Sequence, residues 1–414
     1  MGMKTRKKKA SLPSLRSADK DFDIVIVGGG LAGLTLSCLL GKTAKNLKIA
    51  CIDRDDPQRA VDGDFRTTAI SFGSAKILDR AGLWNEIEPR GCPIRDIRIF
   101  DADTPLLLQF LSEEAGGKIF GWILKNSDLR EIMFNKIKTL RQIRHIPSTG
   151  VNGFEHKNDK IRVTLENGQE ITARLVVGAD GRGSFVRDFL DIPTRRWDYG
   201  QRAVICNITH ENPHENRAIE NFWPQGPFAI LPMNDDEKGR HVSSLVFTEH
   251  GPKSRSLMQL DEEAFLNAVA AKFPAFYGEI DLASPRQCYP LSLIHASRYI
   301  GPRMALVADA AHGIHPVAGQ GLNLGFRDIG ELAGLIAQAA ENGEDIGSPD
   351  VLETYQRRRR PDNVAMAAVT DALVRLFSNN LLPVRILRRA GLRAVSKLPP
   401  AKRFFMKNAM GAGE

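Results

Sequence analysis

Glycines at positions 28, 30 and 33 follow directly on the β-branched run Asp23-Ile-Val-Ile-Val. A Gly-x-Gly-x-x-Gly hexamer placed there has the chemistry to hold a dinucleotide. Gly28 permits the tight turn out of a strand, Gly30 lets a pyrophosphate approach the backbone, and Gly33 lets the next helix pack closely on that strand. The helix, read from the apolar stretch Leu34–Leu40, would aim free N–H groups and the positive end of its dipole at the phosphates. A second strand, Leu47–Ile52, ends in Asp53, twenty residues beyond Gly33, where a carboxylate can bond the adenosine ribose hydroxyls. The hexamer alone is a weak signal. Strand, helix and acid in their places make it a dinucleotide site, without choosing between NAD and FAD.

Two later stretches bear on that choice. Val176-Val-Gly178-Ala-Asp180-Gly181-Arg-Gly183-Ser184 follows a run, Val151–Ala173, that reads as a β-meander. Met304-Ala-Leu-Val-Ala-Asp309-Ala-Ala-His312 leads into Pro316-Val-Ala-Gly319-Gln320-Gly321-Leu-Asn323-Leu-Gly325. A strand ending in Asp, then a Gly-rich turn and a helix start, can carry backbone donors to a cofactor. With the first hexamer, these stretches resemble the three signatures of the single-component flavin-dependent aromatic hydroxylases, the p-hydroxybenzoate hydroxylase group. The resemblance implies non-covalent FAD, with NAD(P)H and O2 as co-substrates. It implies that Asp309 bonds the ribityl chain and that Pro316 and the backbone of Gly319, Gln320, Gly321 and Asn323 face the flavin ring. Asp180 and Gly181 would lie near the pyrophosphate, serving both FAD and the nicotinamide cofactor. Arg66, in Asp64-Phe-Arg66-Thr-Thr-Ala-Ile, matches the family arginine that lies against the flavin. Only one complete hexamer with its acid is present, which suits a group whose nicotinamide cofactor has no domain of its own.

Further stretches narrow the resemblance to the hydroxylases of ubiquinone biosynthesis: Phe222-Trp-Pro-Gln-Gly226-Pro-Phe-Ala-Ile-Leu231-Pro232, the Gln320 motif, Tyr355-Gln-Arg-Arg358-Arg-Arg-Pro361-Asp362-Asn363, and the ending Leu398-Pro-Pro-Ala-Lys402-Arg-Phe-Phe-Met-Lys-Asn-Ala-Met410-Gly411. One departure is Lys125 before Asn126, where the family pattern has an acid. The resemblance implies ring hydroxylation of a polyprenylated phenol. Its rivals are a related FAD-dependent reductase or epoxidase of an isoprenoid, and a flavin-binding scaffold subunit of a quinone-making assembly with other proteins of that pathway as partners. No titratable residue stands out by motif as a general base, so the sequence leaves the catalytic group unknown. His312-x-x-His315 lacks a carboxylate or thiolate partner, and no metal is expected.

The elements that must position these residues alternate αβ over most of the chain. The fold class read from them and from the resemblance is α/β: a Rossmann-like FAD-binding domain with an inserted antiparallel-sheet substrate domain and C-terminal helices, a p-hydroxybenzoate hydroxylase-like fold. Residues 1–18 read as a basic disordered tail, 19–192 and 297–350 as a discontinuous FAD-binding domain, 193–296 as the substrate domain and 351–414 as C-terminal helices with a basic tail. The substrate sheet would take strands from 94–111 and from Ala203–Ile208, Arg217–Trp223, Pro227–Pro232 and Val242–Thr248.

The 414-residue composition, 43% apolar and 26% charged, is that of a globular protein. The net charge of +8 is carried by the ends: residues 1–18 contribute +6 and 381–414 contribute +7, leaving the body at 8 − 6 − 7 = −5. Nothing resembles a nucleic-acid module, so an anionic membrane surface is the partner expected of the C-terminal basic tail. In a helix from Leu382 to Val395, Arg385, Arg388, Arg389 and Arg393 fall on one arc and Ile386, Leu387, Ala390 and Ala394 on another. Either the arginines lie on lipid, or the apolar arc packs inward and the arginines are solvated. Five scattered cysteines without a CxxC pair suit a reducing compartment. The expected location is the cytoplasm, peripherally attached to the inner face of the cytoplasmic membrane.

Overall fold

The computed structural model describes residues 20–102, 104–377 and 382–411; the basic run 1–18 lies outside the described residues. The first strand, Asp21–Val27, sits in the middle of a parallel sheet, between Glu170–Gly178 and Ile49–Ile52. The order continues outward to Ile143–Ile146 on one side and to Met304–Leu306 and Ile300–Gly301 on the other. Ile24, Val25 and Ile26 are fully buried, as strands covered on both faces must be, which is why they read as an unbroken apolar run. The helix Leu31–Thr43 is buried around most of its circumference because it packs between this sheet and the long helix Gln320–Glu341. The meander is present as Val151–Lys157, Lys160–Leu165 and the first half of Glu170–Gly178.

A second sheet of nine strands has the order His312–Gly313, Gln287–Ala296, Thr194–His210, His241–His250, Gly226–Met233, Arg217–Trp223, Asp96–Asp101, Leu108–Leu111, with Ile280–Leu282 beside Thr194–His210. Strand alternation divides its side chains between two environments. Val204, Cys206, Ile208, Ile219, Phe228, Ile230, Leu245 and Phe247 form the back, packed with Leu257, Phe265 and Val269 of two helices. The front carries Ala218, Phe222, Met233 and Val242, and it packs on Ile94, Phe120, Ile123 and Val317. The start of the 94–111 stretch expected in the substrate sheet divides at Arg95. Cys92–Ile94 joins a small sheet with Gly121–Lys125 and Thr67–Ser71, while Asp96–Asp101 joins the large one.

The C-terminal helices are Pro349–Phe377, Leu382–Lys397 and Pro399–Ala409; Arg357–Arg360 lie in mid-helix, and Arg359 is buried against Asp328. Arg388 and Arg389, expected on an outward arc, point inward to the buried carboxylate of Asp101. Arg388 also donates to the carbonyls of Leu376 (2.9 Å) and Phe377 (3.3 Å). The reason is electrostatic: Asp101 is itself buried, and a carboxylate there requires a cation. Ile386 and Leu387, on the arc that one of the two readings packs inward, are exposed instead.

Candidate active site

Gly28 has φ +108°, and a Cβ on it would lie 2.4 Å from the Ala179 carbonyl oxygen and 2.9 Å from Asp180 Cα. The first and second motifs therefore touch. A Cβ on Gly33 would meet the Gly28 oxygen at 1.9 Å, whereas one on Gly30 would meet nothing within 4 Å. Gly33 is needed for packing; Gly30 faces open space at the N-terminus of a thirteen-residue helix, the approach a pyrophosphate needs. Asp53 lies under this turn, and burial pushes its carboxyl above the ordinary range against the pull of the Asp55 and Arg54 backbone donors. Asp180 accepts from the Val186 backbone N–H through Oδ2 (3.1 Å). Its Oδ1 is buried with no hydrogen-bond partner among the described residues. Burial raises this carboxyl too. An open glycine, a helix N-terminus, a ribose-height acid and unfilled bonding capacity fit the adenosine diphosphate half of FAD.

The third motif is brought alongside by sheet pairing, Val177 to Ala305 and Gly178 to Leu306. Asp309 follows in a tight turn, half-exposed, with Arg182 Nε 3.6 Å away. The turn needs Ala308 at φ +53°, and the Ala308 N–H donates to Asp328 (3.1 Å). Asp328 is fully buried. It accepts from His312 Nε2 (2.5 Å), Arg359 Nε (3.0 Å) and Asn363 Nδ2 (2.9 Å). Burial pushes the Asp328 carboxyl up, but the His312 and Arg359 charges and bonds outweigh it and leave it below the usual range. His312 thus holds a carboxylate that anchors the turn.

The loop after His312 ends at Gly319, φ +61°, which caps the helix Gln320–Glu341. Asn323 accepts from the Ser71 N–H (2.9 Å) and donates to the carbonyls of Ala69 (2.8 Å) and Gly319 (2.8 Å). Its amide is spent within the protein, so Asn323 positions this loop against the strand Thr67–Ser71. Pro316 is exposed, Gly321 is partly so, and Gln320 is buried in the first turn. His315 is buried; its Nδ1 accepts from the Val317 N–H (3.3 Å), which leaves Nε2 to donate to Gln201 (3.2 Å). Burial and the nearby Arg182 push His315 down to about 4, so the loop support stays neutral. Arg66 is gripped by Asp64 through two 2.7 Å bonds and lies 5.6 Å over the Tyr289 ring of the large sheet. Beside it, Thr67 and Ser244 share a 2.7 Å hydroxyl bond. Gly181, φ +78°, faces open space next to Asp180.

The structure thus gathers all three motifs and Arg66 around one cleft, bounded by the first hexamer, the 315–323 loop and the front of the large sheet. Sequence reasoning missed Asp328, Gln201 and Tyr289, because each is joined to the site by tertiary contact rather than by a local pattern, and it missed Asp64, whose place two residues before Arg66 was a local signal. When bound, FAD would be held by the hexamer, Asp53, Asp180, Asp309 and the backbone at 319–321.

The FAD binding domain family matches residues 21–372. The ubiquinone hydroxylase UbiL of Rhodospirillum rubrum is 42% identical over 404 residues, 97% of this chain and 92% of that protein. The 3-demethoxyubiquinol 3-hydroxylase of Escherichia coli is 32% identical over 394 residues, 94% of this chain and 98% of that protein. The crystal structure of p-nitrophenol 4-monooxygenase PnpA from Pseudomonas putida DLL-E4 superimposes with a TM-score of 0.79 at 18% identity, covering 94% of this chain and 98% of that one, a likeness of fold. The chain is an FAD-dependent monooxygenase and belongs to the family of FAD-dependent hydroxylases of ubiquinone biosynthesis.

Proposed function

We propose that this enzyme hydroxylates the ring of a polyprenylated phenol, with NAD(P)H as reductant and O2 as oxygen source. The observation that carries the reading is the composition of the sheet face opposite the flavin loop. Ile99, Phe222, Ala229, Leu231, Val246 and Ile205 share that face by register, an apolar wall suited to an aromatic ring with a hydrocarbon tail. FAD, once reduced, supplies the activated oxygen. The protein's share is to hold the ring against Phe222 and Val317, exclude water, and keep the loop rigid through Asn323 and His315. A membrane surface is the natural place to meet such a substrate, and the outward apolar residues of the C-terminal helices support attachment there.

The test is turnover of a polyprenylated phenol under isotopically labelled O2. One labelled oxygen in the ring product is expected for each NAD(P)H consumed. An unlabelled, reduced prenyl product would replace this reading with that of an isoprenoid reductase, and a label on the prenyl chain would indicate an epoxidase.

A further inference from the structure

We propose that Glu220 accepts the proton of the substrate's ring hydroxyl during oxygen transfer, an inference that rests on the phenolic substrate proposed above. Glu220 belongs to the strand Arg217–Trp223, where it shares the front face with Ala218 and Phe222. Ala218 packs with Ile94, Phe120 and Ile123, and Phe222 packs with Val317 of the flavin loop. Glu220 stands between them, so its carboxyl faces the cleft. Its row across the sheet is Ile99, Glu220, Ala229, Val246, Ile205 and Gln287. Ala229 beside it is small and leaves room for a ring.

No hydrogen bond or ion pair engages Glu220 among the described residues. Its side chain is partly exposed rather than packed away. Several other charged or titratable groups on the sheet side of this cleft are already committed. Asp101 is held by Arg388 and Arg389, Arg66 by Asp64, and Tyr289 donates to Gln287 (2.6 Å). Tyr199 donates to Asp371 (3.0 Å), and Arg375 pairs with that same carboxylate. An unpaired carboxyl among Ile99, Phe222, Ala229 and Val246 is costly and does nothing for the packing around it. Burial pushes it up to about 7, where a base is half-ionised near neutrality and efficient at proton transfer.

In the step itself the phenol O–H bond breaks and its proton passes to the Glu220 carboxylate. The electron pair stays on the ring oxygen, which raises electron density at the ortho and para carbons for attack on the oxygen electrophile. When the ring rearomatises, the hydrogen on the newly oxygenated carbon leaves to water as a proton, and Glu220 returns its own to the ring oxygen.

The test uses the FAD-loaded enzyme and pH profiles of hydroxylation with two phenols. One has an ordinary hydroxyl; the other carries ring fluorines that make it ionised throughout the assay range. With the first, kcat/KM should fall as pH drops through about 7; with the second that limb should vanish. Glu220→Gln should keep its FAD, lose about 100-fold in hydroxylation of the ordinary phenol, and recover much of the rate with the ionised one. Glu220→Asp should restore part of the rate and the limb. Persistence of the wild-type limb with the pre-ionised phenol would overturn the assignment even if the Gln variant fails to fold, and so would an unchanged profile in a folded Gln variant. If the wild-type enzyme hydroxylates neither phenol, the substrate reading itself fails and this inference falls with it.

Discussion

Glu220 should also leave a mark on stability, because a carboxyl raised to about 7 in the native state is an ordinary carboxyl in the unfolded chain. Between those two values the native state holds the extra proton. Stability therefore declines as pH rises from the ordinary carboxylate range to about 7 and stays reduced above it. Glu220→Gln is neutral throughout and escapes this loss. It should match the wild type near pH 5 and exceed it at pH 8 by on the order of 2 kcal/mol. Denaturant midpoints at the two pH values check this; a difference that does not change with pH would show that the carboxyl is not held in its neutral form. Asp328 lies on the opposite side of the same argument. It is more deeply buried, yet His312, Arg359 and Asn363 fill its bonding capacity, so its charge is retained and the Ala308 turn is anchored. Removal of one of those partners strands a buried charge. His312→Ala should accordingly weaken FAD retention by loosening Asp309 while leaving the first hexamer intact, with released flavin fluorescence as the measure; unchanged retention would separate the network from the cofactor.

At the scale of elements, the most consequential lock joins residues 287 positions apart: Arg388, on the helix Leu382–Lys397, reaches the end of the strand Asp96–Asp101. Its guanidinium also lies 5.0 Å over the Phe377 ring, which stacks at 3.7 Å on Phe222 of the substrate face. Asp101→Asn leaves Arg388 buried without its carboxylate, for which a loss of about 3–5 kcal/mol is expected. Charge reversal at exposed Arg393 should cost little. Thermal midpoints of the two variants compare them directly, and equal midpoints would mean that the ion pair contributes nothing to docking this helix. The same pair shows what a sequence carries and what it hides. Gly28, Gly30, Gly33 and Asp53 were legible because strand, turn, helix and acid are consecutive and each glycine answers a local steric need. The strands Arg217–Trp223 and Gly226–Met233 were legible from alternation and their turn. Periodicity on Leu382–Val395 separated a cationic arc from an apolar one but could not say which faced inward, because a distant buried carboxylate decides that. Glu220 was invisible for a similar reason: alternation gives it a face, and only the neighbouring strands show that the face is the cleft.

Considered as a whole, the molecule turns an unusual surface outward beside the substrate sheet. Residues 382–411 contain eight lysines and arginines and no acid. Arg388 and Arg389 are bound to Asp101, and Lys402 to Glu114. Arg385, Arg393, Lys397, Arg403 and Lys407 have no carboxylate partner among the described residues. Between these cations stand Leu387 (71% exposed), Phe404 (64%), Ile386 (59%), Leu398 and Phe405. Leu392, Met406 and Met410 pack inward on the core that includes Ala218, so the outward set is not spare core. Among the described residues no helix is long and apolar enough to cross a membrane. Cations interspersed with large apolar side chains suit a surface that inserts shallowly among anionic headgroups. Each engaged cation is worth about 1 kcal/mol at such a surface and is weakened by salt, whereas the inserted apolar groups are not. The two contributions can therefore be separated. The FAD-loaded enzyme should sediment with vesicles containing anionic phospholipid and bind neutral ones weakly. Arg393→Glu with Lys397→Glu should remove the salt-sensitive part of binding. Leu387→Ser with Phe404→Ser should remove the part that survives high salt. Neither pair should alter FAD content or the thermal midpoint, since none of these four residues is buried. Absence of binding to anionic vesicles, together with a concentration-dependent doubling of mass that the Leu387 and Phe404 changes abolish, would assign the face to a second copy of the chain instead. Phe377 connects this layer to Phe222 at the cleft. Vesicle binding should therefore lower KM for a long-tailed phenol and leave KM for a tailless one unchanged; an equal effect on both would show that attachment does not deliver the substrate.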